Sequence, residues 1–163
     1  MVILQTPRLV LRHPEPQDLD ALFALYRDPE IRQYFPDGTL TLEETNEELE
    51  WFLHGHPKFP QLGLWATVER NYGAFLGRCG LLPWEIEGKH ETELAFLIDK
   101  NRWGEGLATE AASAIVNYAQ SVAAVVPLIA DAKNVAARTS ADAFEYANRA
   151  TVQLSQAFQG MAK

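Results

Sequence analysis

The most regular pattern in the chain lies over residues 108–119, where apolar side chains stand at Ala108, Ala111, Ala112, Ile115, Val116 and Ala119. That spacing places them on one face of a helix, so a buried amphipathic helix is expected here. Residues 92–98 follow a different period. Thr92, Leu94, Phe96 and Ile98 alternate with Glu93, Ala95 and Leu97, which predicts a strand with two distinct faces. Between strand and helix runs Asn101-Arg102-Trp103-Gly104-Glu105-Gly106-Leu107-Ala108-Thr109. Two glycines one residue apart suit a backbone that turns sharply or comes close to a ligand.

Weaker patterns fill the rest of the chain. Leu9-Val10-Leu11, between two arginines, reads as a first strand, and Gln17-Asp18 opens a helix with apolar positions Leu19, Leu22, Phe23 and Tyr26. Asp28-Pro29 ends that helix. Residues 30–35 are short and mixed, and Pro36-Asp37-Gly38 is a turn. Thr41-Leu42-Glu43-Glu44 matches a capping box and predicts a second helix to about His54. Residues 64–69 and 74–82 read as strands of a hairpin turning at Arg70-Asn71-Tyr72-Gly73, and residues 83–90 as a polar connection. After the long helix, residues 125–129 read as a strand and 135–143 as a short helix, while 144–163 match no regular pattern. No repeat, linker or low-complexity run divides the 163 residues, which suits one domain with a full-sized core.

Charge narrows the partners. A net charge of -8 argues against nucleic acid, whose phosphates call for clustered lysine and arginine. It is compatible with a cationic acceptor such as an amine. The second helix concentrates that charge in Glu43, Glu44, Glu47, Glu48 and Glu50 on its outer face. Such a face is either simply solvated or a rim that attracts a cation. Cys79 is the sole cysteine, lies in an apolar run and reads as a packed thiol, so no intrachain disulfide forms. His54-Gly55-His56 lacks a third ligand at a usual spacing, and no metal is expected. No run approaches the ~20 apolar residues that cross a bilayer, and the amino terminus lacks a signal-peptide pattern. No membrane partner and a cytoplasmic location are therefore expected.

Two features carry candidate chemistry. The glycine loop feeding a helix start presents backbone N–H groups and the positive end of the helix dipole, an arrangement suited to phosphate or pyrophosphate. A plain strand-to-helix turn accounts for the same glycines equally well. Glu93 is a lone carboxylate on a face of otherwise small or apolar side chains. It is either solvated at the strand's end or held in a cleft with a raised pKa, where it would suit proton abstraction near neutral pH.

Taken together, these stretches resemble the GNAT N-acetyltransferases, in the Rim-type branch of ribosomal-protein alanine N-acetyltransferases. The resemblance is carried by Gln5-Thr6-Pro7-Arg8-Leu9-Val10-Leu11-Arg12 and by Leu76-Gly77-Arg78-Cys79-Gly80-Leu81. It continues in Glu93-Leu94-Ala95-Phe96 with Trp103-Gly104-Glu105-Gly106-Leu107-Ala108-Thr109-Glu110-Ala111, and in Lys133-Asn134-Val135-Ala136. It implies an α+β fold with helices flanking a twisted, mostly antiparallel sheet that splays around an acyl-CoA site. The strand backbone at Leu97 and Ile98 would then hold the pantetheine arm, and the amides from Arg102 through Trp103, Gly104, Glu105, Gly106 and Leu107 to Ala108 the pyrophosphate, beside Thr109. A Rossmann site would instead need a βαβ unit and a third glycine where Thr109 stands.

The activity this implies is transfer of acetyl from acetyl-CoA to a primary amine, on a protein N-terminus or a small molecule, by direct attack. The enzyme would act as a monomer or homodimer. Glu93 is the candidate base through a water, and Asn134 would hydrogen-bond cofactor or acceptor. Ser140 and Tyr146 are candidates to protonate the leaving thiolate, each with ordinary packing as its plain alternative. Residues 143–163 depart from the family's closing glycine-aromatic pair and hairpin strands. That departure supports the rival reading of a non-catalytic acyl-CoA-binding or regulatory protein.

Overall fold

Alternating patterns build a sheet in the amino-terminal two thirds of the chain, and the helical pattern builds the layer that covers one of its faces. A computed structural model describes residues 1–33, 35, 37–86, 89–121 and 128–129. Among these residues six strands form one sheet in sequence order: β1 (Val2–Gln5), β2 (Leu9–Arg12), β3 (Gly63–Glu69), β4 (Phe75–Ile86), β5 (Lys89–Ile98) and β6 (Leu128–Ile129). The first five are antiparallel neighbours. β6 joins β5 in parallel at Thr92↔Leu128 and Glu93↔Ile129. A parallel neighbour needs a crossover, and the helix α4 (Leu107–Ser121) lies within that connection.

The two faces of β5 belong to two cores. Leu94, Phe96 and Ile98 pack under α4 with Leu107, Ala111, Ala112, Ile115, Val116 and Ala119. Leu97 faces the opposite way, among Leu22, Leu25, Tyr26 and Leu49. These come from α1 (Leu19–Tyr26) and α3 (Leu42–Phe52), with α2 (Pro29–Arg32) between them. Ala95 joins Phe52 and Leu64 on that same side. Truncating a fully buried residue such as Ile115 to alanine costs about 2–5 kcal/mol in cores of this kind.

The expected α+β sheet, hairpin and helices are present, and four details differ from the sequence reading. A strand, β1, precedes the one expected first. Residues 29–32, read as irregular, form the single turn α2, because Asp28 Oδ1 accepts from the amides of Glu30 and Ile31 and Pro29 starts the turn. The expected polar connection at 83–90 is largely strand, since β4 and β5 stay paired out to Ile86↔Lys89. β3 stops opposite Leu81, so β4 has β5 as its only neighbour among the described residues by Pro83, and the missing proline N–H is tolerated there. The fourth difference, the position of Glu48, concerns the site itself. The expected strand at 125–129 is described at Leu128–Ile129. The expected helix at 135–143 lies outside the described residues.

Candidate active site

The glycine loop begins where β5 ends. Asp99 accepts from the Asn101 amide (3.0 Å) and starts a single 3-10 turn, Lys100–Arg102. The Trp103 indole folds back and donates to the Ile98 carbonyl (2.8 Å). Gly104 (φ 82) and Gly106 (φ 76) both stand in left-handed backbone conformations that favour glycine. α4 then starts at Leu107, and its first closing bond runs from the Glu110 amide to the Gly106 carbonyl (3.0 Å). The Leu107 and Ala108 amides therefore precede any carbonyl that the helix itself can offer them. Further back, the Arg102 amide donates to Asp99 and the Trp103 amide to Lys100, so both are engaged within the turn. Of the amides expected to hold a pyrophosphate, those of Arg102 and Trp103 are therefore already bonded within the turn.

Three carboxylates lie around this loop, and each is held by an arginine. Arg102 forks onto Glu105 (2.9 and 3.0 Å) and also reaches Glu69 (3.0 Å). These bonds raise the Arg102 pKa and lower that of Glu105. Glu110 accepts from Arg8 Nε (2.6 Å), the Arg8 amide (2.9 Å) and the Thr6 hydroxyl (2.5 Å). Partial burial would push the Glu110 carboxyl up, but those three donors together bring it below its ordinary value.

The second half of the site is a cleft of about 580 Å³ beneath α3. Glu44, Glu47, Glu48, Trp51 and Phe52 line it, spaced i, i+3, i+4, i+7 and i+8 along one stripe of the helix. Leu64 of β3 and Arg78, Leu82 and Pro83 of β4 form the opposite wall. Glu48 is therefore not on the solvated outer face expected for it. Its carboxylate lies 3.3 Å from Arg78 Nε and accepts from the buried Tyr26 hydroxyl, which itself accepts from Arg78. Burial alone would lower the Arg78 pKa, but Tyr26, Glu48 and Glu93 hold it well above the usual arginine value. Burial likewise keeps the Tyr26 phenol protonated. Glu93 is half-buried, pairs across strands with Leu82 of the cleft wall and lies within electrostatic reach of Arg78.

The structure thus brings Glu93 toward the cleft and gathers Arg102, Trp103, Gly104, Glu105, Gly106, Leu107, Ala108 and Thr109 at the head of α4. Leu97 and Ile98 are buried side chains, so backbone is what they offer a ligand. Asn134, Ser140 and Tyr146 lie outside the described residues. Sequence reasoning did not single out Tyr26, Arg78 or the Thr6–Arg8–Glu110 group as site residues. Arg78 carried one signal, as the lone charge within the apolar run at 75–82. No three His, Cys, Asp or Glu side chains among the described residues gather as a metal site. No described helix is long and apolar enough to cross a membrane.

The profile of the acetyltransferase (GNAT) domain matches residues 8–144. An uncharacterized protein of Bacillus subtilis, YkkB, is 33% identical over 116 residues, which is 71% of this chain and 66% of the relative. The chain therefore spans just under two thirds of that relative's length. Among solved structures, the Salmonella typhimurium acetyltransferase that modifies the N-terminal serine of ribosomal protein L7/L12 superposes with a TM-score of 0.65. It is 17% identical, and 85% of this chain and 82% of that one are covered. Spermidine N-acetyltransferase from Vibrio cholerae, solved with CoA and spermine, superposes with a TM-score of 0.63 at 15% identity, covering 87% and 80%. The glycine loop at the head of α4, the sheet order and the domain match agree: the chain belongs to the GNAT acetyltransferase family.

Proposed function

We propose that this protein transfers an acetyl group from acetyl-CoA to a primary amine that carries positive charge. One observation carries the reading: the end of β5 leads into a glycine loop at a helix start, while Glu93 on the same strand pairs with Leu82 in the wall of a carboxylate-lined cleft. The amides from Gly104 to Ala108 and the α4 dipole hold the pyrophosphate, and the β5 backbone at Leu97 and Ile98 guides the pantetheine arm. The acceptor enters as an ammonium along the α3 stripe, where Glu44 and Glu47 favour a cation. Glu93 takes the ammonium proton through a water, and the free amine attacks the thioester carbonyl. The oxyanion collapses, the amide forms and CoA leaves as the thiolate, with Ser140 or Tyr146 as its proton source and Asn134 bonding cofactor or acceptor. That the Vibrio cholerae neighbour was solved with CoA and spermine supports a cationic acceptor.

The test is release of CoA thiol from acetyl-CoA with a panel of amines: spermidine, a monoamine of matched length, free amino acids and peptide N-termini. Amine-dependent release that favours the multiply charged acceptors is expected. Tight CoA binding with no release on any amine would instead leave a non-catalytic acyl-CoA-binding protein.

A further inference from the structure

The amino-terminal stretch Thr6-Pro7-Arg8 has no part in the chemistry above, yet the fold sets it against the cofactor loop. Arg8 Nη1 donates to the Glu105 carbonyl at 2.8 Å. Its Nε and its own amide are both fixed on Glu110, which Thr6 braces from the other side. A Cβ placed on Gly106 would stand 3.7 Å from Arg8 Nη2, so the guanidinium lies directly against the loop.

We propose that Arg8 is a positioning residue that aims the Gly106 amide at the CoA pyrophosphate. The Glu105 carbonyl and the Gly106 N–H belong to one planar trans peptide and point in opposite directions. Holding the carbonyl on Arg8 therefore turns the N–H the other way, toward the space the head of α4 faces. The peptide needs that restraint because it is joined on one side to Gly106, whose lack of a Cβ leaves that torsion loosely restricted. Glu110 and Thr6 fix the guanidinium, so the loop arrives with its donor already oriented rather than ordering on binding. The inference rests on the loop being the CoA site.

Arg8 is half-exposed at 48%, so Arg8→Met is expected to fold normally. Its CoA affinity by calorimetry should fall roughly tenfold, the worth of one charge-assisted hydrogen bond. kcat at saturating acetyl-CoA and the amine KM should stay within about twofold of wild type. With acetylpantetheine, which lacks the pyrophosphate, kcat/KM should not change. Arg8→Lys should recover only part of the loss, because one ammonium cannot bridge Glu110 and the Glu105 carbonyl as the planar fork does. Adding Glu110→Gln to Arg8→Met removes the carboxylate left unpaired, and affinity should stay low. Full recovery in that double variant would make the effect mere charge repulsion and overturn the proposal. So would a CoA affinity within twofold of wild type in folded Arg8→Met, or an equal loss with acetylpantetheine. If valines at Gly104 and Gly106 leave CoA affinity unchanged, the loop itself is not the site and the underlying reading fails first.

Discussion

The glycine loop at the head of α4 and the cleft beneath α3 are both rich in carboxylates, and they handle them in opposite ways. Around the loop, Glu105, Glu110 and Glu69 are each bound to an arginine, Arg102 or Arg8. Along the cleft, Glu48 alone of the three α3 glutamates meets an arginine; no described ion pair takes Glu44 or Glu47. The Glu44 carboxylate accepts from Thr41 in the capping box, which satisfies its hydrogen bonding but leaves its charge. A pyrophosphate site has to cancel nearby negative charge, because like charges in a partly dry cleft repel strongly. A site for an ammonium has to keep some. On the proposed function, the same residue type would thus be a liability at the loop and an attractant in the cleft, with the placement of arginines deciding which.

The largest effect expected from breaking this arrangement is at the loop. Replacing Gly104 and Gly106 together with valine forces β-branched residues into left-handed conformations and blocks close approach to the backbone. CoA binding measured by calorimetry should be lost while circular dichroism stays native. Next comes Glu93→Gln, which should lower turnover by roughly 10²–10⁴-fold with CoA affinity little changed. Retention of more than half the activity would remove Glu93 from the proton transfer. A smaller effect is expected from Glu44→Gln with Glu47→Gln. The amine KM should rise about three- to tenfold at low salt, with no change in the KM for acetyl-CoA, and the difference should shrink as salt screens beyond about 10 Å. An amine KM identical to wild type at low salt would make the stripe an ordinary solvated face.

The smallest effect sharpens the comparison from the loop side. Because the Glu110 carboxyl is held below its ordinary pKa, its ion pair contributes stability above the usual carboxylate range. That contribution is lost as pH falls through the folded-state value. Glu110→Gln should therefore lower the urea midpoint at pH 7 by an amount worth no more than about 1 kcal/mol, with the gap to wild type closing as pH falls below the usual carboxylate range. A gap that widens in acid would contradict the sign of the shift.

How much of this was legible beforehand follows from how local each feature is. β5 and α4 stood out because each carries one clean period and buries the residues that the period picks. β1 did not, since Val2-Ile3-Leu4-Gln5 shows no alternation and its strand character comes from pairing with β2. The far half of β4 was hidden by Pro83, whose tolerance depends on where β3 stops. Gly104 and Gly106 were visible because glycine marks its own backbone requirement. The arginines were not, because their meaning lies in distant partners: Arg8 meets a carboxylate 102 residues away, and Arg78 a phenol 52 residues away. The five glutamates of α3 were correctly seen as a charged group. Only the packing of Thr45, Leu49 and Phe52 against the sheet turns Glu48 inward and leaves Glu44 and Glu47 along the cleft.

Cys79, fully buried in the core between the sheet and α4, bears on the thiol that the proposed reaction would release. Burial pushes its thiol up to about 11, so at neutral pH almost none of it exists as the reactive thiolate. It is also the chain's sole cysteine. CoA released in the proposed reaction would therefore meet no exposed cysteine of these 163 residues with which to form a mixed disulfide. A thiol-specific chromogen added to the folded chain is therefore expected to read the leaving group alone, with Cys79 contributing no background.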